Sequence, residues 1–272
     1  MSAESPPHNS KREARLLKNI VHRNIIPLLD TERLPNSSNF LLVFPFQPLT
    51  LENLLHTRER VRITILRDIF SALAHIHAQG IIHRDIKPSN ILLASSLGPA
   101  LLCDFGIAWS PNDLTTTLES PDAKITDVGT TCYRPPELLF GRRDYDESLD
   151  LWAVGCVAAE IFVHNDQLHL DDWTLFNAGD LGSELALVKS IFETLGTPNE
   201  RVWPECKFLP DWGKVSFVVF SPRPWSEILP GVGNNERELI NGLVKYESRQ
   251  RTRATQVRYA FPYFSAKFFS VL

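Results

Sequence analysis

His83-Arg84-Asp85-Ile86-Lys87-Pro88-Ser89-Asn90, followed downstream by Asp104-Phe105-Gly106, is the stretch on which the reading of this chain turns. Any one of these residues has a bland explanation. Asp85 and Asp104 read singly are solvated loop carboxylates, and His83 is a satisfied core histidine. Together they are far more specific. Moving a phosphoryl group asks a protein for positioning and charge neutralisation. One carboxylate orients the attacking hydroxyl and one cation meets the phosphate. An amide oxygen and a second carboxylate offer the hard oxygen ligands that magnesium prefers. Asp85, Lys87, Asn90 and Asp104 are the residues of those four kinds, and His83 is assigned to loop support.

Upstream of this string, Ile65, Ile69, Leu73 and Ile76 repeat at helical spacing, which predicts a helix over 61–79 closed by Gly80. Leu51–His56 reads as a short helix. Two apolar runs, Ile25–Leu29 and Phe40–Phe46, flank the turn-rich 35–39 and read as a strand pair. Ala14, Leu17 and Ile20 mark one face of a helix over Ser10–Val21, and the polar residues 1–9 read as a loop. Downstream, the pattern is loop-rich to about 141. Helices are expected near 147–162, 183–196, 235–246 and 254–260, with Ser183 and Asn235 as N-caps. The Pro-rich 204–230 reads as a structured insert or long loop. The expected organisation is α+β: a small strand-bearing piece over 1–46, then a mainly helical domain over 47–272.

Composition narrows the class. With 272 residues, 43% of them hydrophobic, the chain can bury one large core or two modest ones. A formal charge of −4 gives no footprint for nucleic acid or membrane. Cys103, Cys132, Cys156 and Cys206 lack metal-like spacing and read as free thiols in a reducing compartment. No apolar run has the length of a membrane span.

The two motifs have the spacing seen in protein kinases, and from about Pro7 onward the chain resembles the cyclin-dependent kinase family. Tyr133-Arg134-Pro135-Pro136-Glu137-Leu138-Leu139-Phe140-Gly141 is similar to the family's "YRAPELL.G" segment. Asp150-Leu151-Trp152-Ala153-Val154-Gly155-Cys156 resembles its helix F. Leu195-Gly196-Thr197-Pro198 with Trp203-Pro204 resembles "LGTP...WP". Two longer stretches, 177–200 and 133–156, also resemble the fungal branch of CDK-activating kinases. The resemblance implies a protein-kinase-like fold whose cofactors are ATP and Mg2+. It implies that Asp85 and Lys87 are catalytic, that Thr130 bridges them, and that Asn90 and Asp104 hold the metal. For nucleotide binding it implies Glu13, Phe44 as gatekeeper, the Pro45 carbonyl, the Gln47 amide, Leu92 as pocket floor and Cys103 at the back. Glu137 with Arg251, and Asp150 under the catalytic loop, are the implied structural groups. The implied location is intracellular, in nucleus or cytoplasm.

Three departures modify these expectations. Only 12 residues precede Glu13, and they carry no G-x-G-x-x-G and no strand lysine to meet it. Lys11 lies on the same helix and cannot take that role. The expectation is therefore a truncated N-lobe remnant of helix C and two strands, with exposed strand faces, a mobile or misplaced helix at Ser10–Val21 and no measurable activity for this chain. Second, a gapless count back from Tyr133 puts the family's phosphorylated threonine on Ile125, with Thr126 beside it. Arg12 and Arg84 match two of the three phosphate-binding arginines, and Trp109 stands at the third. Third, the stretch similar to "PSTAIRE" is Pro7-His8-Asn9-Ser10-Lys11-Arg12-Glu13, with Lys11 where an isoleucine packs on cyclin, so cyclin dependence is not expected.

The function expected of the full-length product is ATP-dependent Ser/Thr phosphorylation of protein substrates, with other cyclin-dependent kinases as targets. The alternative is a catalytically weak or inactive fragment acting as a protein-binding module. A metal-dependent hydrolase on Asp85 and Asp104 would need further ligands that His83 alone does not supply.

Overall fold

The computed structural model describes residues 8–33, 40–57, 61, 63–112, 119–167 and 173–257. The expected turn at 35–39 and the end of the helix near 254–260 lie outside these residues, as does most of the expected loop at 1–9.

Helix α1, Ser10–Asn19, starts where the Asn9 side chain accepts the Arg12 N–H at 2.9 Å. Its buried residues Leu16 and Leu17, with Ile20 beyond its end, join the main core. The polar strand β1, Asp30–Arg33, pairs antiparallel with β2, Phe40–Val43. This corrects the expected strand at Ile25–Leu29. There the chain turns inward: Ile25 and Ile26 are buried, and the Ile26 N–H donates to the Leu102 carbonyl. The apolar run marks a core anchor, and pairing passes to the residues after it.

A three-stranded sheet carries the segments that flank the two motifs: β3, Leu49–Thr50, then β4, Ile91–Leu93, then β5, Ala100–Leu102, all antiparallel. Between β3 and β4 lie α2, Leu51–Leu55, and α3, Ile63–His77. A reciprocal box between Thr50 and Asn53 caps α2. Gly80, at φ +70, sits where the chain reverses after α3. The catalytic string runs from the end of that turn into β4.

After the short helix α4, Pro136–Leu139, comes α5, Ser148–Gln167, apolar on nearly every face and therefore central. Helix α6, Glu184–Leu195, and the short α7, Trp225–Ile228, precede α8, Asn234–Leu243, which packs on α5. A Cβ at Gly155 would meet Leu243 and Val244 at under 3.0 Å, so only glycine allows that approach. Helix α8 begins at Asn234 with Gly233 as N-cap, two positions ahead of the expected cap at Asn235. The 204–230 region is ordered around aromatic edges: Trp203 contacts Phe140 at 5.8 Å and Trp212 at 5.4 Å between ring centroids. A mainly helical lobe thus follows a reduced strand-bearing part. No helix among the described residues is long and apolar enough to cross a membrane.

The expected misplacement of the first helix is not what the structure holds. Helix α1 shares one continuous core with the helical lobe. Asn24 donates to the Ala100 carbonyl at 3.0 Å, the Leu102 N–H to the Asn24 carbonyl at 2.9 Å, and the Asn9 N–H to the Gly106 carbonyl at 2.9 Å. The residues flanking the helix are thus tied to β5 and to the segment after it, and the helix itself lies against β2. Exposed apolar side chains remain at Leu41, Val43 and Phe46, on and just after β2.

Candidate active site

The loop between α3 and β4 is held from below. Asp150, fully buried on α5, accepts the backbone N–H of His83 and of Arg84, each at 2.9 Å, and lies 2.9 Å from His77 Nε2. Burial alone would raise the Asp150 carboxyl. The His77 contact and the His83 interactions outweigh it and hold the group below the usual carboxylate range. Arg84 adopts φ 72 and Asp104 φ 63, both in the left-handed region that non-glycine residues avoid. Such backbone persists only where the surroundings over-determine it.

Four of the expected side chains converge there. Lys87 Nζ lies 2.8 Å from Asp85 Oδ2 and donates to Thr130 Oγ1 at 2.9 Å. The Thr130 hydroxyl and N–H donate to Asp85 Oδ1 at 2.9 and 3.1 Å. Asn90 Nδ2 donates to the Asp85 carbonyl at 2.8 Å and to Oδ2 at 3.0 Å. Burial would raise Asp85, yet Lys87 and then Thr130 hold it below its ordinary value. Asp85 is therefore an ionised acceptor at neutral pH. A cavity of about 450 Å³ opens beside Lys87 and Thr130, bordered also by Ser89, Glu52 and Glu160.

Asn90, inside this network, and Asp104, whose Oδ1 accepts the Gly106 N–H at 3.3 Å, carry the hard oxygens expected to face a metal. Because Asn90 spends its Nδ2 hydrogens on Asp85, its amide oxygen is left for a cation. One carboxylate and one amide suit a metal that keeps waters and phosphate oxygens in its shell, as Mg2+ does. Among the described residues there is no cluster of three or more His, Cys, Asp or Glu side chains that could hold a metal. His8 Nδ1 approaches Asp104 Oδ1 to 4.0 Å.

Glu13, on α1, accepts the Phe105 N–H at 3.1 Å. Burial first, and the nearby Asp104 charge second, push its carboxyl up to about 7 against that hydrogen bond. Among the described residues no Lys or Arg ion-pairs with it. Phe44 packs on the main core, while Pro45 and Gln47 lie half-buried in the extended segment between β2 and β3. Leu92 is central in β4, paired with Thr50 and Leu101. Cys103, just past β5, has its thiol pushed up to about 12 by burial and by the Asp104 and Glu13 charges, which makes it an inert group.

Glu137 and Arg251 form a bidentate pair at 2.6 and 2.7 Å, both side chains wholly buried. The pair tethers α4 to the chain near Arg251, at the C-terminal end of the lobe.

One residue escaped the sequence reading. Glu119 is buried and receives Arg84 at both carboxylate oxygens, 2.5 and 3.2 Å apart. The Arg12 guanidinium stands 3.7 Å away. Two arginines facing an isoleucine register would have repelled one another, and Glu119 is the acid that gathers them. Trp109, at the expected third arginine, donates its indole N–H to the Glu119 carbonyl at 3.2 Å. The available signal was the arginine pair itself, which required an acid somewhere in the segment.

A family profile for the protein kinase domain matches residues 2–264. The chain is 38% identical over 245 residues to the serine/threonine-protein kinase csk1 of Schizosaccharomyces pombe, spanning 90% of this chain and 78% of that protein. It is 34% identical over 258 residues to cyclin-dependent kinase 20 of Rattus norvegicus, spanning 92% and 68%. With cyclin-dependent kinase 7 of Xenopus laevis the identity is 37% over 254 residues, spanning 90% and 65%. The structure is similar to a chain in the crystal structure of the yeast RNA Pol II CTD kinase CTDK-1 complex. The TM-score is 0.77 at 25% identity, covering 94% of this chain and 81% of the other.

Proposed function

Because the chain belongs to the protein kinase family, on its cyclin-dependent kinase branch, we propose that it transfers the γ-phosphoryl group of ATP to Ser/Thr hydroxyls of other cyclin-dependent kinases, as a single chain without a cyclin. The observation that carries this reading is the closed network of Asp85, Lys87, Thr130 and Asn90. In the reaction the substrate oxygen bonds to the γ-phosphorus as the bond to the bridging oxygen breaks. The hydroxyl proton passes to Asp85 and ADP leaves. Lys87 neutralises the transferring group, and Thr130 keeps both side chains in register. Asn90 and Asp104 supply the metal's protein oxygens. Mg2+, when bound, neutralises phosphate charge and orients the oxygens. For the nucleotide, the Pro45 carbonyl and Gln47 N–H meet adenine, Leu92 floors it, and Phe44 and Cys103 close the back. The exposed Lys11 on α1 supports the absence of a cyclin.

A second reading has its own support. Glu13 has no lysine partner among the described residues, and its carboxyl is pushed toward neutrality. The set that grips the α- and β-phosphates is thus incomplete in these residues. This favours a chain that binds Mg-ATP weakly and works as a docking module. Calorimetric titration with Mg-ATP and phosphate transfer to recombinant cyclin-dependent kinases separate the two. Under the catalytic reading, Asp85→Asn removes transfer by roughly 10²–10⁴-fold with nucleotide affinity kept, and Asp104→Asn weakens Mg-ATP binding itself. Full turnover in Asp85→Asn would sink the assignment of the base.

A further inference from the structure

Glu119 is 2% exposed and Arg84 fully buried. A carboxylate so placed is costly unless every oxygen is satisfied. Oε2 accepts from Arg84 Nη1 and from the Ile125 N–H at 3.2 Å, and Oε1 accepts from Arg84 Nη2. Burial would raise its carboxyl, but Arg84 outweighs burial and keeps it ionised.

These bonds, with the Arg12 guanidinium 3.7 Å from Oε1, join three separate pieces of chain. Arg12 belongs to α1, Arg84 to the loop between α3 and β4, and Ile125 to the segment 119–134. Arg84 directly precedes Asp85, and its strained φ is fixed on one side by Asp150 and on the other by its guanidinium. From Ile125 the chain runs to Thr130, whose N–H and hydroxyl bind the other face of Asp85. Glu119 therefore braces Asp85 from both chain directions.

Loops of this kind are commonly ordered by a phosphate that recruits arginines. Here the two guanidiniums already hold an anion, and Ile125 offers no oxygen to phosphorylate. We propose that Glu119 is a positioning residue for Asp85, a permanent carboxylate that does the work of an activating phosphate and orders residues 119–134 without modification. The consequence for catalysis rests on the phosphoryl-transfer reading above, whereas the filled anion pocket does not.

The test uses the 272-residue chain with Glu119→Ala, Glu119→Gln and Glu119→Asp. Thermal unfolding is followed with and without inorganic phosphate, and amide exchange is read at Ile125 and Thr130. In the Ala and Gln variants both amides exchange faster and the midpoint falls. Phosphate raises the midpoint of Glu119→Ala by mass action and leaves the parent unmoved, because its pocket is full. Glu119→Asp regains most of the protection, which a residue needed only for its bulk would not show. Where transfer is measurable, Glu119→Gln lowers kcat on the order of 10²-fold with KM for ATP unchanged, and phosphatase treatment of the parent changes nothing. Equal phosphate response in parent and Glu119→Ala, or unchanged exchange in Glu119→Gln, overturns the proposal. So does a phosphate on the parent's 119–134 segment whose enzymatic removal speeds exchange there, a measurement that needs no variant to fold. A parent that transfers no phosphate but shows the exchange and midpoint pattern would refute the catalytic reading and leave the pocket standing.

Discussion

Removing the Glu137 carboxylate is the sharpest perturbation of the scaffold. Arg251 loses two bonds of 2.6 and 2.7 Å and keeps only the Ser148 and Lys245 carbonyls and the face of Trp152, 5.1 Å from its guanidinium carbon. A full positive charge is then left at zero exposure with neutral partners. Breaking one half of a buried pair costs about 3–5 kcal/mol. For a domain of this size each kcal/mol moves the melting midpoint by roughly 2–4 °C, so Glu137→Ala should lower it by roughly 6–20 °C. That is a large share of a typical stability of ~5–15 kcal/mol. Arg251→Met should cost a similar amount by stranding the carboxylate. The double variant Glu137→Ala with Arg251→Met removes both charges and should fall well short of the sum, losing chiefly the two carbonyl bonds, about 1–3 kcal/mol each. Circular dichroism melts of the four proteins measure the coupling. A double variant as unstable as the summed singles would refute the view that an unpaired buried charge carries the cost.

Two further outcomes are expected. Thr126→Ala should leave phosphotransfer within a few-fold of the parent, because the carbonyl rather than the hydroxyl of Thr126 is engaged, by Arg134 Nη2 at 2.7 Å. A mass-spectrometric phosphosite at Thr126 whose loss collapses activity would reverse this. Glu160 is buried beside Tyr133, whose hydroxyl donates to Oε2 at 3.2 Å, and burial pushes its carboxyl from 4.5 up to about 8. The folded state thus binds a proton that the unfolded state releases. Its contribution is fully present below about pH 4.5 and lost as pH rises through about 8, with a slope approaching ~1.4 kcal/mol per pH unit. Glu160→Gln should flatten the melting profile over that window, and a parent profile equally flat there would show that Glu160 is charged in the fold.

The core of the candidate site was legible because its residues lie close together in the chain. Asp85, Lys87 and Asn90 share one loop, so loop conformation alone brings them to one side. The helices at 63–77, 148–167 and 184–195 were legible because apolar spacing registers which face must leave water. Where the same signal was ambiguous it misled. The apolar Ile25–Leu29 looked like a strand, yet Ile25 and Ile26 bury beside β5 while Leu29 stays exposed, and the polar Asp30–Arg33 took the ladder.

By itself, then, the sequence determined the loop that brings Asp85, Lys87 and Asn90 together and the helical lobe, both set by short-range order or periodicity. The tertiary structure alone decided that α1 docks on the core and that Glu119 closes on Arg84. The segment offers several acids, among them Asp113, Glu119, Asp122 and Asp127, and nothing local separates them. A counting register points to Ile125 because it assumes that the charge must come from that position. Only the path of the chain shows a carboxylate from six residues earlier folding back under the Ile125 amide. There a buried guanidinium has no water to turn to, and the nearest anion that can reach it is held.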